Sequence, residues 1–251
     1  MSGHSKWATT KHRKAKVDSA RGKIFTKLSK EIMVAAKLGG DNPEGNFRLR
    51  IAIEKARENN MPADNIKRAV QKGAGGMEGE NYEEMVYEGY GPSGTAVIME
   101  LMTNNRNRTA GEIRHILDKN GGNLGETGCV SWMFDRLGYI EVEKDKVKMD
   151  EEEFTLYAIE KGADDLKIKD DIYEIYVQIE NLENVRKEIL NDGIEIKEAT
   201  LSMVPKNLVI VEDIEQAKKV IKLLETLEDH DDVQNLYANV EIPEEILEAL
   251  E

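Results

Sequence analysis

Along the first quarter of the chain, apolar residues recur every three or four positions. From Asp18 to Leu38 the residues Phe25, Leu28, Ile32 and Ala35 fall on one face, and the run stops at Gly39-Gly40. That pattern predicts an amphipathic helix with a glycine terminus. A second helix is predicted from about Asn46 to Glu58, carrying Phe47, Leu49, Ile53 and Ala56. A third is predicted from Pro62, whose fixed φ suits a first turn, with Ile66, Ala69 and Val70 on its apolar side. Three short helices with one apolar stripe each imply a small bundle. Lys72-Gly73-Ala74-Gly75-Gly76 then reads as a hinge, because consecutive glycines lose too much chain entropy inside a regular element.

Beyond this point the period changes. Met85 to Gly89 and Thr95 to Thr103 read as strands, the second strongly apolar through Ala96-Val97-Ile98-Met99. Thr109-Ala110-Gly111-Glu112 has the form of a capping box opening a helix with Ile113, Ile116 and Leu117, which Gly121-Gly122 stops. Cys129 to Phe134 is predicted to be the returning strand. Matching elements come much later: a strand at Leu208 to Val211, a helix capped by Asp213 and Gln216, and a strand at Val233 to Val240. Between them, strand Tyr139 to Val142, helix Glu151 to Glu160, strands Asp164 to Ile168 and Tyr173 to Ile179, helix Leu182 to Asn191 and strand Glu195 to Met203 make a second βαββαβ series.

A split pattern of this kind closes only by pairing strands distant in sequence. The reading is therefore an α+β protein of three domains: an N-terminal helical bundle followed by two ferredoxin-like βαββαβ domains, one inserted into the other. The boundaries are 1–76 for the arm and bundle, 77–136 plus 205–251 for the discontinuous domain, and 137–204 for the insert. The alternative, three domains in series, leaves the last one too short to bury its helix. With 251 residues, 40% of them apolar and 6% aromatic, the chain has material for two or three cores. No stretch approaches the roughly 20 apolar residues of a membrane span, and the N-terminus lacks the apolar heart of a secretory signal. The single cysteine, Cys129, rules out an internal disulfide framework. Together these point to a cytoplasmic protein without a membrane partner.

Charge adds what hydrophobic pattern cannot show. The whole chain is at −14, but through Gly76 there are 17 Lys and Arg against 7 Asp and Glu, a net of +10. Of the total 35 basic and 49 acidic residues, that leaves 18 against 42, a net of −24, in the body. Segregated charge lets one face engage phosphates while the other repels them. Lys6, Lys11, Arg13, Lys14, Lys16, Arg21, Lys23 and Lys27 supply phosphate contacts, and Trp7, His12 and His4 offer rings that stack on bases. Trp7 serves equally well as an anchor pinning the arm to the body. Arg106 and Arg108, beside the start of a helix, form a second phosphate-binding candidate; their other reading is pairing with acidic neighbours. Tyr87 to Gly94 is glycine-rich but lacks the P-loop Lys-Ser/Thr, and reads as a hairpin turn.

Catalytic constellations are missing. Cys129 lies in a predicted apolar strand and reads as a small core residue. His4, His12, His115 and His230 have no metal-ligand spacing, and the acid clusters Asp150 to Glu153 and Glu228 to Asp232 read as helix caps and solvated surface. No catalytic residue, metal site, cofactor or small-molecule substrate is expected, and the sequence leaves the oligomeric state open.

The motifs named above, with several others, resemble those of the YebC family. Gly3-His4-Ser5-Lys6-Trp7, Lys11-His12-Arg13-Lys14 and Arg21-Gly22-Lys23-Ile24-Phe25 match its N-terminal signature in order and spacing. Asn60-Met61-Pro62, Tyr87-Glu88-Gly89-Tyr90-Gly91-Pro92, Asn105-Arg106-Asn107-Arg108-Thr109 and Gly121-Gly122-Asn123-Leu124-Gly125 match further on. The resemblance covers residues 3 to about 140 densely and the rest by architecture. It implies a three-domain protein without known catalysis, described in bacteria as a probable DNA-binding transcriptional regulator. Mitochondrial relatives are described as translational activators, and other bacterial members as ribosome-associated. The expected function is thus non-enzymatic regulation of gene expression through DNA or through ribosomal RNA and the ribosome. Phosphate contacts alone do not distinguish these targets. A rival expectation is a protein-interaction module whose acidic domains recruit a basic partner.

Overall fold

The structure is a computed structural model that describes residues 17–75 and 82–250, with side chains of the first helix described from Gly22 onward. It divides into two compact units. One holds the described residues up to Trp132 together with those from Asn207 onward; the other is Met133–Lys206.

In the first unit, helices α1 (Val17–Gly39), α2 (Phe47–Glu58) and α3 (Ala63–Gly73) pack around Leu28, Ile32, Leu49, Ile53, Ala56, Ile66 and Ala69. These are the positions of the sequence period, since a 3.6-residue repeat places them on one side of each helix. Asn46 caps α2 by accepting from the Leu49 amide, and its amide group donates to the carbonyls of Ala35 and Gly40, so one buried side chain closes α1 and opens α2.

The expected hinge begins one element too early. Gly73 is the last residue of α3, and a Cβ there would collide with the Met33 carbonyl oxygen and come within 2.9 Å of the Ala36 Cβ. The glycine is there because the α3 backbone runs against the α1 backbone at Met33, a need that overrides its entropic cost in a helix. Gly76, the end of the expected hinge, lies outside the described residues.

After residue 82 the first unit continues with strands β1 (Glu83–Tyr90) and β2 (Ala96–Thr103), joined by a tight hairpin in which the Gly91 amide donates to the Thr95 carbonyl. Helix α4 (Arg106–Lys119) and the two-residue strand β3 (Asn123–Leu124) follow. Five elements come after the second unit in sequence: β8 (Val209–Ile210), α7 (Ile214–Glu228), β9 (Val233–Ala238), β10 (Val240–Glu241) and the short α8 (Glu244–Glu248). The sheet order is β3-β1-β2-β9, all neighbours antiparallel. Val97, Met99 and Leu101 of β2 meet Ile113 and Leu117 of α4 and Val220, Leu223, Leu224 and Leu227 of α7.

Three expectations are corrected here. Leu208 to Val211 does not join this sheet: β8 pairs in parallel with β10, while β1 holds the place beside β2 because a short hairpin closes far more cheaply than a connection through the second unit. Cys129 to Met133 is not a strand, and only Phe134 of the expected one belongs to a strand, the first of the second unit. The buried Glu88 carboxylate accepts the amides of Gly128, Val130 and Ser131, each at 2.8 Å, which folds that segment into a turn and withdraws its donors from any ladder. Burial would push the Glu88 carboxyl up, but these amides outweigh it and lower it. Cys129 consequently sits half-buried in a turn and not in an apolar strand. Finally, α4 starts one turn before Thr109, because Asn105 is the cap, accepting from the Arg108 amide.

The second unit contains β4 (Phe134–Glu143), α5 (Glu151–Glu160), β5 (Asp165–Ile168), β6 (Ile172–Val177), α6 (Leu182–Asn191) and β7 (Glu198–Pro205), with antiparallel sheet order β5-β6-β4-β7. Ile140, Val142, Ile175 and Val177 pack under Phe154, Ala158, Val185 and Ile189 of the helices. Asp150 and Glu153 form a reciprocal capping box at α5, as expected for that acidic cluster. No helix among the described residues is long and apolar enough to cross a membrane.

Two substitutions of the same kind are expected to have opposite signs. Gly73→Ala should lower the thermal midpoint through overpacking, by about 1–3 kcal/mol. Gly111→Ala in α4, where a Cβ meets nothing within 4 Å, should raise it by about 0.5–1 kcal/mol. Calorimetry of both variants checks the pair; equal shifts would contradict the α1–α3 contact.

Candidate nucleic-acid interface

Lys23, Lys27 and Lys30 stand four and three residues apart on α1, a spacing that puts them on one helix face. All three reach the segment that ends α7 and leads into β9. Lys23 Nζ lies 3.3 Å from Asp229 Oδ2, Lys27 Nζ donates to the Glu228 carbonyl at 2.6 Å, and Lys30 Nζ donates to the Asp231 carbonyl at 2.8 Å. The last carbonyls of a helix are unpaired and carry the negative end of its dipole, so this terminus attracts ammonium groups even before its carboxylates are counted.

Asp232 lies at the centre and is buried. Its Oδ1 accepts from Lys30 Nζ at 2.6 Å, and its Oδ2 accepts from Arg108 Nη2 at 2.8 Å and from the Thr109 hydroxyl at 2.7 Å. Thr109 in turn lies 2.7 Å from the Thr103 hydroxyl, which accepts from the Asn105 amide at 3.0 Å. Burial alone would raise the Asp232 carboxyl; hydrogen bonds from Lys30, Thr109 and Arg108 outweigh it and hold the group well below the usual carboxylate range. Arg108 is raised in turn, chiefly by its bond to Asp232. The expectation that Glu228 to Asp232 is solvated surface fails at Asp232, because two cations and a hydroxyl satisfy a carboxylate that the sequence pattern treats as loop.

Around this hub opens a cleft of about 760 Å³, lined among others by Lys23, Lys30, Arg108, Glu112, Asp229 and Asp232. Glu112, His230 and Asp232 bring ligand atoms within 4.8 Å of one another, close enough for a metal ion. Their donors are committed, however: the Asp232 amide donates to His230 Nδ1 at 3.1 Å, which assigns the ring proton to Nε2, 3.0 Å from Glu112 Oε2. Two fixed cations, Lys30 and Arg108, already neutralise the trio's buried acid, which makes it a poor host for a third.

Of the residues singled out for nucleic-acid contact, Lys6, Trp7, Lys11, His12, Arg13, Lys14 and Lys16 lie outside the described residues, as does the side chain of Arg21, whose backbone is in α1. Lys23, Lys27 and Arg108 come together at the acidic segment. Arg106 does not join them: it is 69% exposed, 3.8 Å from Glu83. Sequence reasoning missed Lys30 and Asp232. The helical spacing from Lys23 and Lys27 marks Lys30 as a third member of the stripe, whereas nothing local marks Asp232.

A family model described as the TACO1/YebC protein N-terminal domain matches residues 5–76, and one described as the TACO1/YebC second and third domain matches residues 82–240. The chain belongs to the TACO1/YebC family. It is 54% identical over 246 residues to a probable transcriptional regulatory protein of Desulfitobacterium hafniense (strain DSM 10664 / DCB-2), with 98% of each chain covered. It is 56% identical over 250 residues to a protein of the same description from Halothermothrix orenii, covering 100% of this chain and 99% of the relative. A solved structure, that of a conserved hypothetical protein from Aquifex aeolicus, is similar with a TM-score of 0.86 and 52% identity, covering 97% of this chain and 99% of that one.

Removing one partner of the buried pair should be costly. Asp232→Asn is expected to destabilise the first unit by about 3–5 kcal/mol, since it leaves Lys30 buried without its counter-charge. The double variant Lys30→Met/Asp232→Asn should lose less than the two single losses combined, read by denaturant unfolding as a double-mutant cycle. Because the folded carboxyl is depressed, its contribution is full above the unfolded value of about 3.9 and is lost as pH falls toward the lower folded value. The wild type should therefore lose more stability than Asp232→Asn as acid is added below about pH 4.

Proposed function

We propose that this chain is a non-enzymatic, cytoplasmic regulator of gene expression that binds nucleic acid through its basic N-terminal stretch, with the α1 lysines continuing that charge into the folded body. The observation that carries the reading is charge segregation: a net of +10 through Gly76 set against −24 in the remainder. Lys and Arg at this density release counterions from a phosphate backbone, and the acidic remainder limits how much of the surface does so. The description of the relatives as probable transcriptional regulatory proteins agrees with it. Either DNA or ribosomal RNA meets the charge requirement. An arm rich in Lys with Trp7 and His12 favours RNA, whose splayed bases offer stacking faces, and the sequence has no helix-turn pattern followed by a row of base-reading side chains. We read the architecture that carries the arm as a helical domain, a split α+β domain whose sheet departs from the expected βαββαβ order, and a ferredoxin-like βαββαβ insert.

A second reading rests on the second unit. Its α5 turns Leu156 and Ile159 outward, 64% and 54% exposed, beside Glu152 and Glu160. An apolar pair ringed by acids suits a basic protein segment.

Replacing Lys11, Arg13, Lys14 and Lys16 together with Ala should weaken binding equally across sequences. It should also flatten the salt dependence by about 0.7–0.9 log units for each phosphate that is no longer neutralised. Crosslinking in cells with sequencing of bound nucleic acid, for the intact chain and for one lacking the arm, identifies the target: arm-dependent reads on ribosomal RNA mean translation, and reads at discrete promoters mean transcription. An unchanged salt slope in the quadruple variant would remove the arm from the mechanism.

A further inference from the structure

The lysines that continue the basic arm into the fold are not presented to solvent bare. The acidic segment offers them oxygen acceptors at the spacing of the stripe: the Asp229 carboxylate for Lys23, the Glu228 carbonyl for Lys27, and the Asp231 carbonyl and Asp232 carboxylate for Lys30. These contacts differ in depth. Lys30 and Asp232 are both buried, whereas the Lys23 and Asp229 side chains are 41% and 64% exposed. A buried pair is held firmly; an exposed one is worth little, is screened by salt and exchanges readily with another anion.

We propose that the segment Glu228–Asp232 is an internal competitor for the phosphate backbone, occupying Lys23 and Lys27 in the free protein and giving them up to bound nucleic acid. This rests on the nucleic-acid-binding reading above. The inner pair, Lys30 with Asp232, stays closed and keeps α1 in place, so the exchange costs a side-chain movement and no unfolding. Asp229 and Asp231, both at the cleft, repel a weakly held polyanion, so only a strand that also engages the arm displaces them. The device sets a threshold: it suppresses casual binding more than it suppresses full engagement.

The test uses the full chain and fluorescence anisotropy with two probes, labelled polyuridine RNA and a labelled DNA duplex. Asp229→Asn/Asp231→Asn should tighten binding by roughly two- to five-fold, the scale of a released exposed ion pair. Glu212→Gln/Glu215→Gln removes the same charge at the opposite end of α7 and measures the effect of net charge alone. In a Lys23→Ala/Lys27→Ala background the gain from the two Asn substitutions should shrink to that of the control. Both aspartates are exposed, Asp229 as the cap residue of α7, and Asp232 is left intact, so thermal unfolding should be unchanged. A gain no larger than the control's, or one that survives loss of both lysines, overturns the competitor while leaving nucleic-acid binding in place. Absence of binding to both probes by the unmodified chain overturns the nucleic-acid reading, and the competitor falls with it.

Discussion

A buried carboxylate in a protein interior must find cations or donors for both of its oxygens, and Asp232 satisfies that demand from parts of the chain far apart in sequence. Lys30 comes from the first helix, Arg108 and Thr109 from the helix after the first hairpin, and Asp232 itself stands just before the last strand of the same sheet. Pairing these groups ties the helical bundle to the sheet through charge-assisted bonds, which are directional where hydrophobic contact is not. Arg48 adds a second tie, reaching from α2 to Glu31 on α1 and Glu84 on β1. The direction in which α1 shows its lysine stripe follows from these two points.

Net acidity and a basic front are compatible because the conflict is resolved within one unit. Lys23, Lys27, Lys30 and Arg108 meet Glu228 to Asp232, so part of the positive charge counted in the sequence is already neutralised in the fold. The arm before α1 carries the highest density of basic residues. Along the sequence the positive charge is therefore graded, dense before α1 and, from Lys23 onward, compensated within the first unit.

Neither unit presents, among the described residues, an activated nucleophile or an uncommitted metal triad. Cys129 is raised by burial first and by the nearby Glu88 charge second, the opposite of what a reactive thiolate needs. Tyr139 and Tyr176 in the second unit donate to Glu141 and Glu174, and their rings pack against each other on the sheet. The relatives carry regulatory names.

Local pattern determined a great deal. Helices such as Glu151–Glu160 and Leu182–Asn191, the cap at Asp213 and the hairpin after Tyr90 were all legible, because periodicity, capping chemistry and turn residues act over a few positions. The motif series and the charge split were equally a property of the sequence. Tertiary structure decided what depends on partners distant along the chain. Glu88 turned a predicted strand at Cys129 into a loop by collecting its amides, Gly73 became a point of helix contact where a hinge was expected, and Leu208 to Val211 found β10 because β1 already held the sheet position. Asp232, one acid in an acidic loop of four residues after α7, became a buried hub for the same reason: whether a charge is solvated or paired is set by what the fold brings against it, and no local pattern carries that information.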